Sequence, residues 1–204
     1  MRNLRILPII VAGLLWTAAP AAAAGGGYVF AGGTQRQQAQ VRLALDASAF
    51  DWSLVPTTIT IHIAPGLQSE ATAGNIWLDA NLLNARRFSW GVVQHEYAHQ
   101  VDFFLLNDAK RALLETALGG KDWCYGVPGL AHAQYGCERF ASTLAWAYWP
   151  SSDNSMKPVS ATDESAAMAP AKFRTLLAAL IGAPNTVPPS VTAYAPKRAH
   201  RTKH

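Results

Sequence analysis

The sequence predicts an α+β domain, in which a small sheet packs against helices that mostly follow it in the chain. Two observations carry this expectation. Short β-branched runs stand near residues 57–63 and 74–79, and from residue 88 to residue 181 apolar side chains recur every three or four positions, interrupted only by loops. The chain has 204 residues, enough for one domain with a real core.

Before the domain, Met1 to Arg5 is basic, an apolar run extends to Trp16, and an Ala-rich stretch ends at Ala24. This reads as a secretory signal over residues 1–24, because an apolar stretch of about 11 residues falls short of the roughly 20 that span a bilayer. Residues 25–183 then form the domain. No later segment is apolar enough to span a membrane, so a secreted, extracellular protein is expected. The formal charge of +4 and a pI near 9.2 suggest a polyanion partner at first sight. However, Arg2 and Arg5 leave with the signal, and Lys197, Arg198, Arg201 and Lys203 lie at the far end. What remains is slightly acidic, which disfavours nucleic acid. Residues 184–204 read as a disordered basic tail able to touch an anionic cell wall.

Taking the elements in order, residues 34–47 carry Val41, Leu43, Ala44 and Leu45 among Gln and Arg, a helix with Thr34 as its cap. Residues 57–63 alternate β-branched and polar side chains and end at Pro65-Gly66, and residues 74–79 form a second β-like run. These two should pair. Residues 88–106 form a helix whose apolar stripe is Trp90, Val93, Tyr97, Val101 and Phe104. Asn107 caps the next helix, residues 109–118, and Gly119-Gly120 ends it. The long loop 120–136 must be functional or stapled. Cys124 and Cys137 most simply form one disulfide, contributing on the order of 3 kcal/mol. Residues 138–149 form another amphipathic helix, 151–168 a loop, and 171–181 a helix between Pro170 and Gly182.

Within the long helix stands His95-Glu96-Tyr97-Ala98-His99, the H-E-x-x-H spacing of zinc peptidases. At 100° per residue the two histidines lie about 40° apart, so both imidazoles reach one ion from one face. That face lies opposite the apolar stripe. Glu96, beside them, suits the general base toward a metal-activated water. A hydrolytic zinc also needs a third protein ligand. The metzincin turn would need glycine where Asp102 stands, so it is absent. Glu138 is the better candidate: it lies opposite Phe140, Leu144 and Ala147, and Ser142 and Ala145 flank it with small side chains that permit close helix approach. A plain surface glutamate is the alternative.

The pair His95-Glu-x-x-His99 with Cys137-Glu138-Arg-Phe-Ala-Ser-Thr-Leu-Ala145 resembles the gluzincins, the thermolysin-like zinc peptidases, and in length the small single-domain members. The resemblance spans residues 57–149. It implies a zincin-like fold: a small mixed or antiparallel sheet on an active-site helix, with a second ligand-bearing helix. It also implies Zn2+ held by His95, His99 and Glu138, Glu96 as base and proton shuttle, and residues 74–79, with Asn75, Ile76 and Trp77, as the edge strand binding extended peptide. Two departures stand out. Many gluzincins carry aspartate where Ser142 stands, bonding a zinc histidine; Asp102 could supply that carboxylate instead, or be a surface residue. The downstream oxyanion histidine is also missing, leaving Tyr135 and His132 as candidates, with Tyr148 weaker and His62 structural. The expected function is a secreted zinc endopeptidase acting on peptide or protein substrates. The alternative is a catalytically silent, metal-stabilised binding protein at the cell surface.

Overall fold

The computed structural model describes residues 27–185. The expected signal segment, residues 1–24, and nearly all of the expected basic tail, residues 184–204, lie outside the described residues. No helix among the described residues is long and apolar enough to cross a membrane.

Among the described residues the architecture is mixed α+β, with a four-stranded sheet and six α-helices. The chain begins with β1 (Tyr28–Gly32) and α1 (Gln35–Ala47), then β2 (Ile59–Ala64), β3 (Glu70–Thr72) and β4 (Asn75–Asp79). After the one-turn α2 (Ala80–Leu83) come α3 (Arg87–Leu105), α4 (Asp108–Leu118), α5 (Gly136–Tyr148) and α6 (Pro170–Ile181). Caps act where the sequence places them. Thr34 and Gln37 form a reciprocal capping box on α1, the Asn107 side chain accepts from Lys110 N–H on α4, and Gly119 and Gly182 close α4 and α6 in the left-handed region.

Strand order is β1-β2-β4-β3, with β1, β2 and β4 parallel and β3 antiparallel to β4. The two expected strands are therefore the interior pair, Thr60 standing opposite Asn75 and Ile61 opposite Ile76. This corrects the edge-strand expectation: Asn75, Ile76 and Trp77 lie in β4, which is bonded on both sides, and the free edge beside the helices is β3. Alternation puts Ile59, Ile61, Ile63, Ile76 and Leu78 in the core. His62 and Trp77 stack on the other face, and His62 meets Asn75 Oδ1 at 3.1 Å, a structural role.

α3 is the organising helix. It packs against α1, α5 and β3, and residues on both of its faces are buried. The histidine face is thus off the apolar stripe yet covered, because α5 lies over it. Gly91 permits a second close approach: a Cβ there would meet Asn154 Oδ1 at 2.2 Å, while Asn154 Nδ2 donates to the Ala145 and Trp149 carbonyls. The segment after α5 is thereby seated against α3.

One side chain sets the edge strand. Gln100, fully buried, accepts from Gly74 N–H at 2.8 Å and donates to the Thr72 and Asn75 carbonyls at 2.9 and 3.1 Å. It fastens the β3–β4 turn to the helix that carries the histidines. Gln100→Ala would remove three hydrogen bonds to the backbone of this turn; denaturant unfolding should report a loss of about 2–4 kcal/mol, and a loss below about 0.5 kcal/mol would show that the hairpin is held by something else.

Candidate metal centre

α3 brings His95 and His99 to one face, and α5 presents Glu138 to them in its first turn. His95 Nε2 and His99 Nε2 are 3.2 Å apart, and Glu138 Oε2 lies 3.2 Å from the first and 3.4 Å from the second. A tetrahedral ion with bonds of about 2.0–2.1 Å has ligand–ligand edges of about 3.3–3.4 Å. The triangle of donor atoms therefore has the size of one face of such a coordination shell. All three residues are buried, at 7, 7 and 4 % exposure. The close approach depends on α5, where Ala141, Ser142 and Ala145 pack without bulk.

The charges respond to this crowding. Burial alone would raise the Glu138 pKa, but hydrogen bonds with His95 and His99 and their charges hold it well below the usual carboxylate range. Burial would lower the His95 pKa, and the hydrogen bond to Glu138 with the charges of Glu96 and Glu138 takes it up instead. Glu96 is raised, chiefly by burial, with the histidines opposing. Buried carboxylates around two imidazoles favour positive charge, which a cation held by these donors would supply.

The donor atoms open on a cleft of about 510 Å³. His95, Glu96 and His99 form its floor, Glu70 and Ala71 of β3 one side, and Tyr125 and His132 of the loop the other. Loop 120–136 is stapled, and part of it lines the cleft. Cys124 and Cys137 form the disulfide, and Gly136 N–H and Cys137 N–H donate to the Asp122 and Trp123 carbonyls at 2.8 and 2.7 Å. A disulfide is consistent with an oxidising, extracellular setting.

Around the three donors the structure brings some of the expected residues together and places others elsewhere. Ser142 does reach a histidine: its Oγ lies 3.0 Å from His95 Nδ1 and donates to Glu164 Oε2 at 2.8 Å. His132 does reach the site, with Nε2 at 3.2 Å from Glu138 Oε2 and Nδ1 at 2.6 Å from Glu164 Oε1. The hydrogen bond to Glu164 raises the His132 pKa. Asp102 does not: Arg111 Nε donates to its Oδ1 at 2.8 Å and Trp123 Nε1 to its Oδ2 at 3.1 Å. Helical periodicity put Asp102 near the histidines, but its carboxylate ties α4 and the loop to α3. Tyr135 is also elsewhere, buried and donating to the Val127 carbonyl at 2.8 Å, and Tyr148 donates to the Pro184 carbonyl at the far end of α5.

Two site residues escaped the sequence reading. Tyr125 donates to Glu138 Oε1 at 2.9 Å. A signal existed: each cysteine immediately precedes one partner of this bond, so the disulfide sets Tyr125 beside Glu138. Glu164 stands in an irregular stretch with no periodicity to give it a direction. Burial opposes its ionisation, but bonds with His132 and Ser142 hold its pKa below the ordinary value.

Comparison with known proteins adds no relative: no family model, curated protein or solved structure matches the chain.

The reassignment of Asp102 is testable. Asp102→Asn should cost about 1–3 kcal/mol in unfolding experiments by weakening the Arg111 and Trp123 bonds, with metal content unchanged by elemental analysis. A tenfold or larger fall in metal affinity would return Asp102 to the centre.

Proposed function

We propose that the protein is a secreted zinc-dependent endopeptidase of gluzincin type. The observation that carries this reading is the triangle of His95, His99 and Glu138 donor atoms at 3.2–3.4 Å, with Glu96 beside it on the floor of an open cleft. Two imidazoles and one carboxylate form a ligand set that keeps one position free, as hydrolytic zinc sites require. Zinc bound there supplies Lewis acidity and brings the pKa of a water toward about 7.

The chain's own residues do the rest. An extended peptide adds to the free edge of β3, bonding backbone to backbone, which lays its scissile carbonyl across the floor. As water attacks that carbonyl, Glu96 takes its proton. The Glu96 carboxyl then returns the proton to the amine nitrogen as the C–N bond breaks. His132, in the loop that lines the cleft, supplies a donor for the carbonyl oxygen as it gains charge, while the Tyr125 hydroxyl stays on Glu138 Oε1. The two departures that favoured a silent binding protein each have a counterpart: Ser142 stands against His95, and His132 stands beside Glu138.

Casein cleavage tests the reading. Wild type should lose activity to a chelator and regain it with zinc, and Glu96→Gln should keep zinc while losing at least about 100-fold in rate. Equal activity in the two proteins, or full activity after zinc removal, would refute the mechanism; a zinc-bound wild type inert on all peptides would favour the binding protein.

A further inference from the structure

One carboxylate touches both halves of the site. Glu164 Oε2 accepts from Ser142 Oγ at 2.8 Å, and Ser142 Oγ lies 3.0 Å from His95 Nδ1. Glu164 Oε1 lies 2.6 Å from His132 Nδ1. We propose that Glu164 is a shared positioning residue: through Ser142 it fixes the tautomer of the metal ligand His95, and directly it orients His132 toward substrate.

The polarity of the chain of bonds follows from what each group can do. An ionised carboxylate only accepts, so Ser142 gives its single proton to Glu164. The serine oxygen can then only accept from His95, which places the His95 proton on Nδ1 and leaves the Nε2 lone pair for the metal. On the other side, Glu164 likewise requires a proton on His132 Nδ1. That bond gives a direction to a ring whose side chain is 57 % exposed. Glu164 is itself fixed: Thr143 Oγ1 of α5 and Ala167 N–H both donate to its carbonyl.

A second metal site is the competing use of the same groups, since donor atoms of His132, Glu138 and Glu164 lie within 4.8 Å of one another. The 2.6 Å separation of His132 Nδ1 and Glu164 Oε1 decides against it. Two donors on one ion with bonds near 2.0–2.1 Å stand about 3 Å or more apart, whereas 2.6 Å is a short, charge-assisted hydrogen bond.

The His132 half of the inference rests on the hydrolase reading; the His95 half needs only the metal centre. The test is a pair of mutant cycles on the full chain, with zinc affinity read by chelator competition and kcat read on casein at saturating zinc. Ser142→Ala should weaken zinc about ten- to a hundredfold with kcat little changed, His132→Ala should lower kcat about 100-fold while weakening zinc less than Ser142→Ala does, its contact being with Glu138 and not with His95, and Glu164→Ala should show both losses. Adding Ser142→Ala to Glu164→Ala should weaken zinc no further, and adding His132→Ala should lower kcat no further. Glu164→Gln keeps the shape and offers one acceptor to two donors, so at least one readout should fall. Additive losses, a Glu164 variant with both readouts unchanged, or two zinc ions per wild-type chain would overturn the proposal. A wild type that binds one zinc but cleaves nothing would refute the hydrolase reading instead, and the zinc-affinity cycle would still decide the role of Glu164 toward His95.

Discussion

Two imidazoles on one helix and a carboxylate on another hold their donor atoms within 3.2–3.4 Å of each other, and much of the surrounding structure is arranged around that contact. The helices can approach so closely because α5 turns small side chains, Ala141, Ser142 and Ala145, toward α3. Close approach then buries three polar groups together, a costly arrangement unless each finds partners or an ion. The surrounding bonds follow from that cost. Ser142 and Glu164 satisfy His95, and Tyr125 takes the second oxygen of Glu138. The disulfide joins the residues preceding Tyr125 and Glu138, so the loop wall and the ligand helix cannot separate.

The cleft depends on α3 in a second way. One side of it is β3, a strand of only three residues that could not hold its place by sheet pairing alone. Gln100, one position beyond His99, bonds both ends of the β3–β4 turn. Spacing between the free backbone edge and the histidines is therefore set within a single helical turn. Asp102 performs the matching task for the opposite wall, through Arg111 and Trp123. The helix that carries the two histidines thus also fixes both walls of the groove above them.

How much of this could be read from the sequence follows the range of the interactions involved. Helices announce themselves by periodicity and caps, and Thr34, Asn107, Gly119, Pro170 and Gly182 bound them within a residue or two. The trio His95, His99 and Glu138 was legible for the same reason, since a helix converts spacing into direction. β1 and β3 were missed. Tyr28–Gly32 carries no polar–apolar alternation and ends in glycine, and Glu70–Thr72 is too short to show any; both are strands only because β2 and β4 lie alongside. The edge strand was consequently placed one strand too far in. Asp102 illustrates the converse limit: periodicity gave its face correctly, but the guanidinium that claims it comes from another helix. Glu164 acts from an irregular segment, and its direction is set by packing onto α5, which no local pattern encodes.

The arrangement described above stands or falls with the proposed joint binding of one zinc ion by His95, His99 and Glu138. X-ray absorption at the zinc edge of the metal-loaded protein tests it most directly. The expected spectrum shows a first shell of nitrogen and oxygen only, at about 2.0–2.1 Å, with outer-shell scattering from two imidazoles. A sulfur neighbour at about 2.3 Å, which would place the ion on Cys124 or Cys137, or a protein that takes up no zinc, would contradict it.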